Sequence, residues 1–314
     1  VRSLAVVVIA ACSGGHHMTV VDAAEVDAAL PTTMPAKLSQ TPLYADIATK
    51  TLAEGTIEFT PANVLWSDGA EKHRWIQLPP GAQIDSTDMN HWVFPVGTVF
   101  FKEFDLNGMR LETRMVWHVR DTGDRETDYL LGAYVWDDTE SDATFVPGGE
   151  DNLRGTPHDA PSADTCWRCH VGDAGHVLGF SALQLGDTSA WPLTVQPGVT
   201  FAAPNAALGY FHANCGHCHN PRGSAWVDSQ MILRLDVDEH DAMSTQIYQT
   251  TVGVPLQQWV GNGYTSRIVA GDPTNSAVFV RMSSRAMNVQ MPPIATEFVD
   301  PNGMDLLISW ITSL

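Results

Sequence analysis

Hydrophobic and polar positions divide the chain into stretches of different period. Between about residues 56 and 137 the period is two. The stretch "HWVFPVGTVFFKEFDL" is dense in Val, Phe and Trp, residues that suit a pleated, half-buried surface. It runs into Asn107-Gly108, the strongest short hairpin signal. The returning stretch "MRLETRMVWH" alternates cleanly. Met109, Leu111, Thr113, Met115 and Trp117 share one face, and Arg110, Glu112, Arg114, Val116 and His118 share the other. A turn at 121–124 leads to another strand in "YLLGAYVWDD", and "LWSDGAEKHRWIQLPPG" supplies at least one strand before them. Short strands separated by turns predict an antiparallel, sandwich-like domain.

From about residue 203 the period becomes helical. "NAALGYFHANCGHCHN" opens as a helix and "DPTNSAVFVRMSSR" reads as a second. The last helix is the clearest. Asp300 is a good N-cap, Pro301 suits the first turn, and Met304, Leu307, Ile308 and Ile311 form a stripe at i, i+3, i+4, i+7. "SALQLG" at 181–186 reads as a short helix. The expected fold class is α+β. A β-rich domain spans 41–150, a connecting segment 151–202, and an all-α domain 203–314.

The N-terminus adds an address. Arg2 precedes the apolar run Leu4 to Ala11, which is far too short for the roughly 20 residues that span a bilayer. It has the order of an export signal, and "IAAC", residues 9–12, resembles the lipobox of bacterial lipoproteins. Residues 1–12 thus read as a lipoprotein signal with Cys12 as the lipidated residue, which implies a start further upstream. Residues 13–40, rich in Ala, Asp, Thr and Pro, read as a flexible tether. The expected location is the periplasmic side of a bacterial membrane, held by the lipid anchor alone. The formal charge of −19 excludes a nucleic-acid partner, which needs clustered Lys and Arg, and suits a basic protein partner.

Cysteine is sparse and concentrated. Besides Cys12, the chain has Cys166, Cys169, Cys215 and Cys218, in "CWRCH" at 166–170 and "CGHCH" at 215–219. Two thiols at this spacing can bond the two vinyl groups of one haem, and the next histidine then faces the iron. Zinc ribbons also use paired cysteines, but with about 15–20 residues between pairs, and they do not need a histidine after each pair. Here residues 170–214 intervene and both histidines are present. The expected cofactors are two c-type haems, with His170 and His219 as iron ligands and His217 as a filler. For the second haem, Met291 before Pro292-Pro293 is the expected far-side ligand, because it sits in a loop and not in an apolar stripe. For the first, His118 is the leading candidate over His158 and His176, with an open site as the alternative.

The chain resembles a family of bacterial dihaem c-type cytochromes. The matching stretches are "LWSDGAEKHRWIQLPPG", "FPVGTVFFKEF", "LETRMVWH", "VWDDTESDAT", "CWRCH" with "VLGFSALQLG", "NCGHCHNPRG", and "MPP" with "LISWI". They cover nearly everything from residue 39 onward. The C-terminal part also resembles a class I cytochrome c domain, with His219 and Met291 at its two axial positions. The resemblance implies an exported one-electron carrier that meets a redox partner protein. The alternatives are a peroxidase-like dihaem enzyme with an open first haem, and an electron-accepting subunit docked to a dehydrogenase.

Overall fold

The computed structural model describes residues 29–314. Cys12, the export signal and most of the tether lie outside the described residues. A two-stranded ribbon, β1 (Tyr44–Asp46) and β2 (Thr51–Leu52), precedes a six-stranded antiparallel sheet. The sheet consists of β3 (Ile57–Glu58), β4 (Glu71–Gln77), β5 (Val99–Leu106), β6 (Met109–His118), β7 (Tyr129–Trp136) and β8 (Ala143–Phe145) in chain order. The β5–β6 turn forms where the hairpin signal places it. Asn107 (φ 56°) and Gly108 (φ 77°) take the two positive φ values that a two-residue type I′ turn needs.

There are two antiparallel sheets, and the six-stranded one is covered on both faces, with the β1–β2 residues Tyr44 and Leu52 packed on one of them. On one face Leu38 and Leu43 pack against Trp75, Phe101, Met115 and Tyr134. Residues 35–40 therefore belong to the folded body, although their composition reads as tether. Tyr134 Oη donates to the Pro35 carbonyl at 3.1 Å and the Phe145 amide to Ala36 at 3.1 Å. On the other face Phe100, Val116 and Leu131 pack with Cys166, Val177 and Phe180. The polar face of β6 is thus covered rather than solvated, and Glu112 is fully buried. Alternation shows which residues share a face, but not whether a later segment will cover it.

Helices and isolated bridges make up the chain after β8 among the described residues. α1 (Arg125–Asp128) sits between β6 and β7, and α2 (Ala163–His170) follows the sheet. The Ser162 side chain caps α2 by accepting from the Thr165 amide. Then come α3 (Ala182–Leu185), α4 (Ala206–Asn214), α5 (Trp226–Ser229), α6 (Gln246–Thr251), α7 (Ala277–Met282) and α8 (Pro301–Ser313). The fold is α+β. In α8, Asp300 caps as expected, and Met304, Leu307 and Ile311 are buried. Ile308 is 39% exposed, and Trp310, three residues beyond Leu307, fills the stripe against Phe211.

Residues 31–314 form one compact unit, with early and late segments interleaved. The Asn214 side chain at the end of α4 accepts from the Trp66 amide at 2.6 Å and donates to the Val64 carbonyl at 3.2 Å. The Asp68 carboxylate accepts from the Glu297 and Phe298 amides. The loop before β4 is thereby tied to the loop before α8, and a cavity opens between them.

Candidate cofactor site

α2 sets Cys166, Cys169 and His170 at i, i+3 and i+4, which puts all three side chains on one helix face. The second motif repeats the arrangement just past α4. The amides of Cys218 and His219 both donate to the Cys215 carbonyl, at 3.1 and 2.9 Å, so Cys215, Cys218 and His219 share one helical turn. Both motifs line a single cavity of about 470 Å³. That lies within the roughly 300–1,000 Å³ typical of small-molecule and cofactor sites.

The two histidines are set alike. His170 Nδ1 lies 2.7 Å from the His176 carbonyl oxygen. A carbonyl only accepts, so Nδ1 carries the proton and Nε2 keeps its lone pair. His219 Nδ1 lies 3.1 Å from Ser229 Oγ, whose own hydrogen goes to the Ala225 carbonyl at 2.8 Å. The serine oxygen therefore accepts from His219. Neither Nε2 has a hydrogen-bond partner among the described residues. Burial holds each ring at a pKa of about 4, so both are neutral at pH 7. An anchored Nδ1–H and a free Nε2 are the usual state of a metal-ligating histidine.

In an acidic chain, the cavity is locally basic. Of the 17 Lys and Arg residues, seven line it: Arg74, Lys102, Arg114, Arg168, Arg267, Arg281 and Arg285. Three form a row across the sheet, with Arg74 opposite Lys102 on β4–β5 and Lys102 opposite Arg114 on β5–β6. Like charges directly opposite are destabilising unless an anion meets them. Arg114 pairs with Glu112, whereas Lys102 forms no ion pair among the described residues and has the Phe104 ring 4.8 Å away. Burial, and then the charges of Arg74 and Arg114, pull its pKa well below the lysine range. Near Met291, Arg285 Nε and Thr296 Oγ1 are buried on the cavity wall without partners. Unmatched donors at two places fit a ligand that carries carboxylates, as each haem does.

Met291 lines the cavity, as do His170, His219 and all four motif cysteines. His118 does not. It lies on the expected face but at the far end of β6, stacked on Tyr129, with Nδ1 2.9 Å from the Phe94 carbonyl. Four residues along a strand separate it from Arg114, roughly 13 Å. His158 reaches the wall, but its Nε2 is held by Glu112 at 2.7 Å. His176 is held edge-on by Trp167 and Tyr129, with Nδ1 3.0 Å from the His170 carbonyl. The sequence reading missed two features: the Ser229 and His176 acceptors, and the position of His217. A His217 nitrogen lies with the sulfurs of Cys169 and Cys218, all within 4.8 Å of one another.

His212, behind the second motif, accepts from the Leu235 amide at 3.1 Å and must stay neutral to do so. Burial, then the Arg234 charge, holds its pKa at about 3. An unfolded histidine titrates near 6.5, so between these values the unfolded state binds the extra proton. Stability is therefore full above about pH 6.5 and falls as pH drops toward 3, by about 2 kcal/mol at pH 5 from this residue. Urea unfolding at pH 7 and pH 5 should show a smaller pH-dependent loss in His212→Gln, whose amide oxygen can still accept. An unchanged loss would mean that His212 is not responsible.

No family model, curated protein or solved structure matches the chain.

Proposed function

We propose that this chain is an exported dihaem c-type cytochrome that carries out one-electron transfer. One observation carries the reading. Two Cys-x-x-Cys-His turns open on one cavity, each with its histidine Nε2 free and its Nδ1 anchored. Burial keeps Cys166 at a pKa of about 11 and Cys215 at about 12, so both enter attachment as thiols. In attachment each thiol adds across a vinyl group. The S–C bond forms, the thiol hydrogen passes to the neighbouring vinyl carbon, and no redox equivalent is consumed. His170 and His219 hold the two irons, Met291 is the far-side ligand of the second, and the basic wall meets the carboxylates. The bound haem supplies the reversible one-electron couple, and the protein sets its ligation, burial and charge.

The rest of the C-terminal region, from α4 to α8, serves as the cytochrome c part of the molecule. Lipidation at Cys12 holds the protein at the periplasmic face of the membrane. No helix among the described residues is long and apolar enough to cross a membrane. The acidic surface suits a basic redox partner.

Two other readings each have one observation in their favour. The placement of His118 outside the cavity favours an open first haem, and with it a peroxidase-like enzyme. The Cys169, His217 and Cys218 cluster favours a zinc site. Structural zinc takes four ligands, however, and this cluster supplies three while leaving Cys166, Cys215 and both preset histidines without a role. The test is haem content of the purified protein, by pyridine haemochrome and intact mass. The expected result is two covalent c-type haems per chain. A protein carrying zinc and no haem would sink the proposal, and fast cyanide binding by one of two haems would select the enzyme.

A further inference from the structure

The second cysteines of the two motifs meet. The Cys169 and Cys218 sulfurs and a His217 nitrogen lie within 4.8 Å of one another. Close packing of the two motifs enforces this approach. Gly172, just past α2, lies so near the second motif that a Cβ there would be 1.7 Å from the His217 carbonyl oxygen. Ser224 Oγ donates to the Arg168 carbonyl at 2.8 Å, and the Cys218 thiol points at the same oxygen from 3.7 Å. Arg234, beyond the second motif, pairs with Asp173, beyond the first, at 2.8 Å. Each pairing joins one motif segment to the other, so the approach of the sulfurs is held from several sides.

We propose, resting on the dihaem reading above, that the two haems meet edge to edge at Cys169 and Cys218 and form one electronically coupled pair. A thioether bond fixes each ring edge two bonds away from its sulfur, through the former vinyl carbon. Sulfurs this close leave room for no protein layer between the two edges, with the His217 ring and the Arg168 carbonyl beside them. Two consequences follow from the contact. An electron on one haem passes to the other without leaving the molecule. Reducing one haem also places an added negative charge beside the other in a poorly screened interior, which makes the second reduction harder.

The test uses the full-length, haem-loaded protein. Haem is counted first, and fewer than two covalent haems overturns both the reading and the inference. Circular dichroism is then recorded across the Soret band. Two coupled chromophores should give a couplet of opposite-signed bands that cross near the absorption maximum. The couplet should weaken at half reduction, when the two Soret bands no longer coincide. It should vanish in Cys215→Ala/Cys218→Ala, which retains the first haem only. The half-reduction measurement needs no variant, so a misfolded variant does not remove the test. A protein with two haems and a single-signed Soret band in every redox state would overturn the coupled pair and leave the dihaem reading standing.

Discussion

Lys102→Met is expected to stabilise the haem-free protein and destabilise the haem-loaded one. In the free protein Lys102 stands between Arg74 and Arg114 in the sheet register. No carboxylate among the described residues forms an ion pair with it, Glu112 acts on it only at longer range, and the Phe104 ring lies 4.8 Å away. Methionine keeps the length and the apolar stem and removes the uncompensated charge. Burying an ion with no paired partner is penalised by several kcal/mol, or by the cost of neutralising it, so an apolar group of similar volume is the more stable occupant. On the proposed dihaem reading, the same change in the loaded protein removes a charge-assisted hydrogen bond to a haem carboxylate, which contributes about 1.5–3 kcal/mol. Denaturant unfolding of both forms, wild type and variant, reads the two effects. A change of the same sign in both forms would show that Lys102 meets no anion, and Lys102→Arg should stay close to wild type in each.

The hairpin that carries Lys102 shows how far the sequence reading reaches. Asn107-Gly108 forces the turn, because few residues accept two positive φ values in succession. A two-residue turn at that position would set Lys102 opposite Thr113. The observed partner is Arg114, because the register shifts by one between Phe104 and Asp105. A bulge of this kind has no dependable mark in a single sequence, and without it the cationic row does not exist. One hint was legible. A lysine stands among Phe100, Phe101 and Phe104, in a strand otherwise built for burial.

The shared turn of each motif was fully legible, because it depends on spacings within a single helical turn. The candidate His118 shows where that locality ends. Strand parity places it on the correct face, but position along the strand relative to α2 is set by tertiary packing. The same limit applies to His217. Within its own motif it looks like a spacer, and the tertiary packing of the two motif segments, with Gly172 against its carbonyl, brings it beside the Cys169 sulfur.

Met291→Leu is expected to lower the potential of one haem while leaving both attached. Met291 lines the cavity from the loop between α7 and α8, and its amide donates to the Arg281 carbonyl at 2.9 Å, which fixes its place. The competing methionines differ in how they are held. Met231, Met282 and Met304 also line the cavity, but Met282 and Met304 are buried side chains of α7 and α8 in the helix core, and Met287 is 85% exposed and does not line it. Leucine has nearly the same volume, so the fold should lose less than about 1.5 kcal/mol. On the proposed ligation, loss of the thioether removes the ligand that raises the potential, and axial ligation spans roughly 0.8 V across haem proteins. Potentiometric titration should show one large downward shift. Because the two haems are proposed to be in contact, the other potential should move by a smaller amount, as the order in which the pair fills with electrons changes. Met282→Leu and Met304→Leu should leave both potentials in place. If Met291→Leu behaved like them, Met291 would be a packing residue and the second iron would take its far-side ligand from elsewhere on the wall.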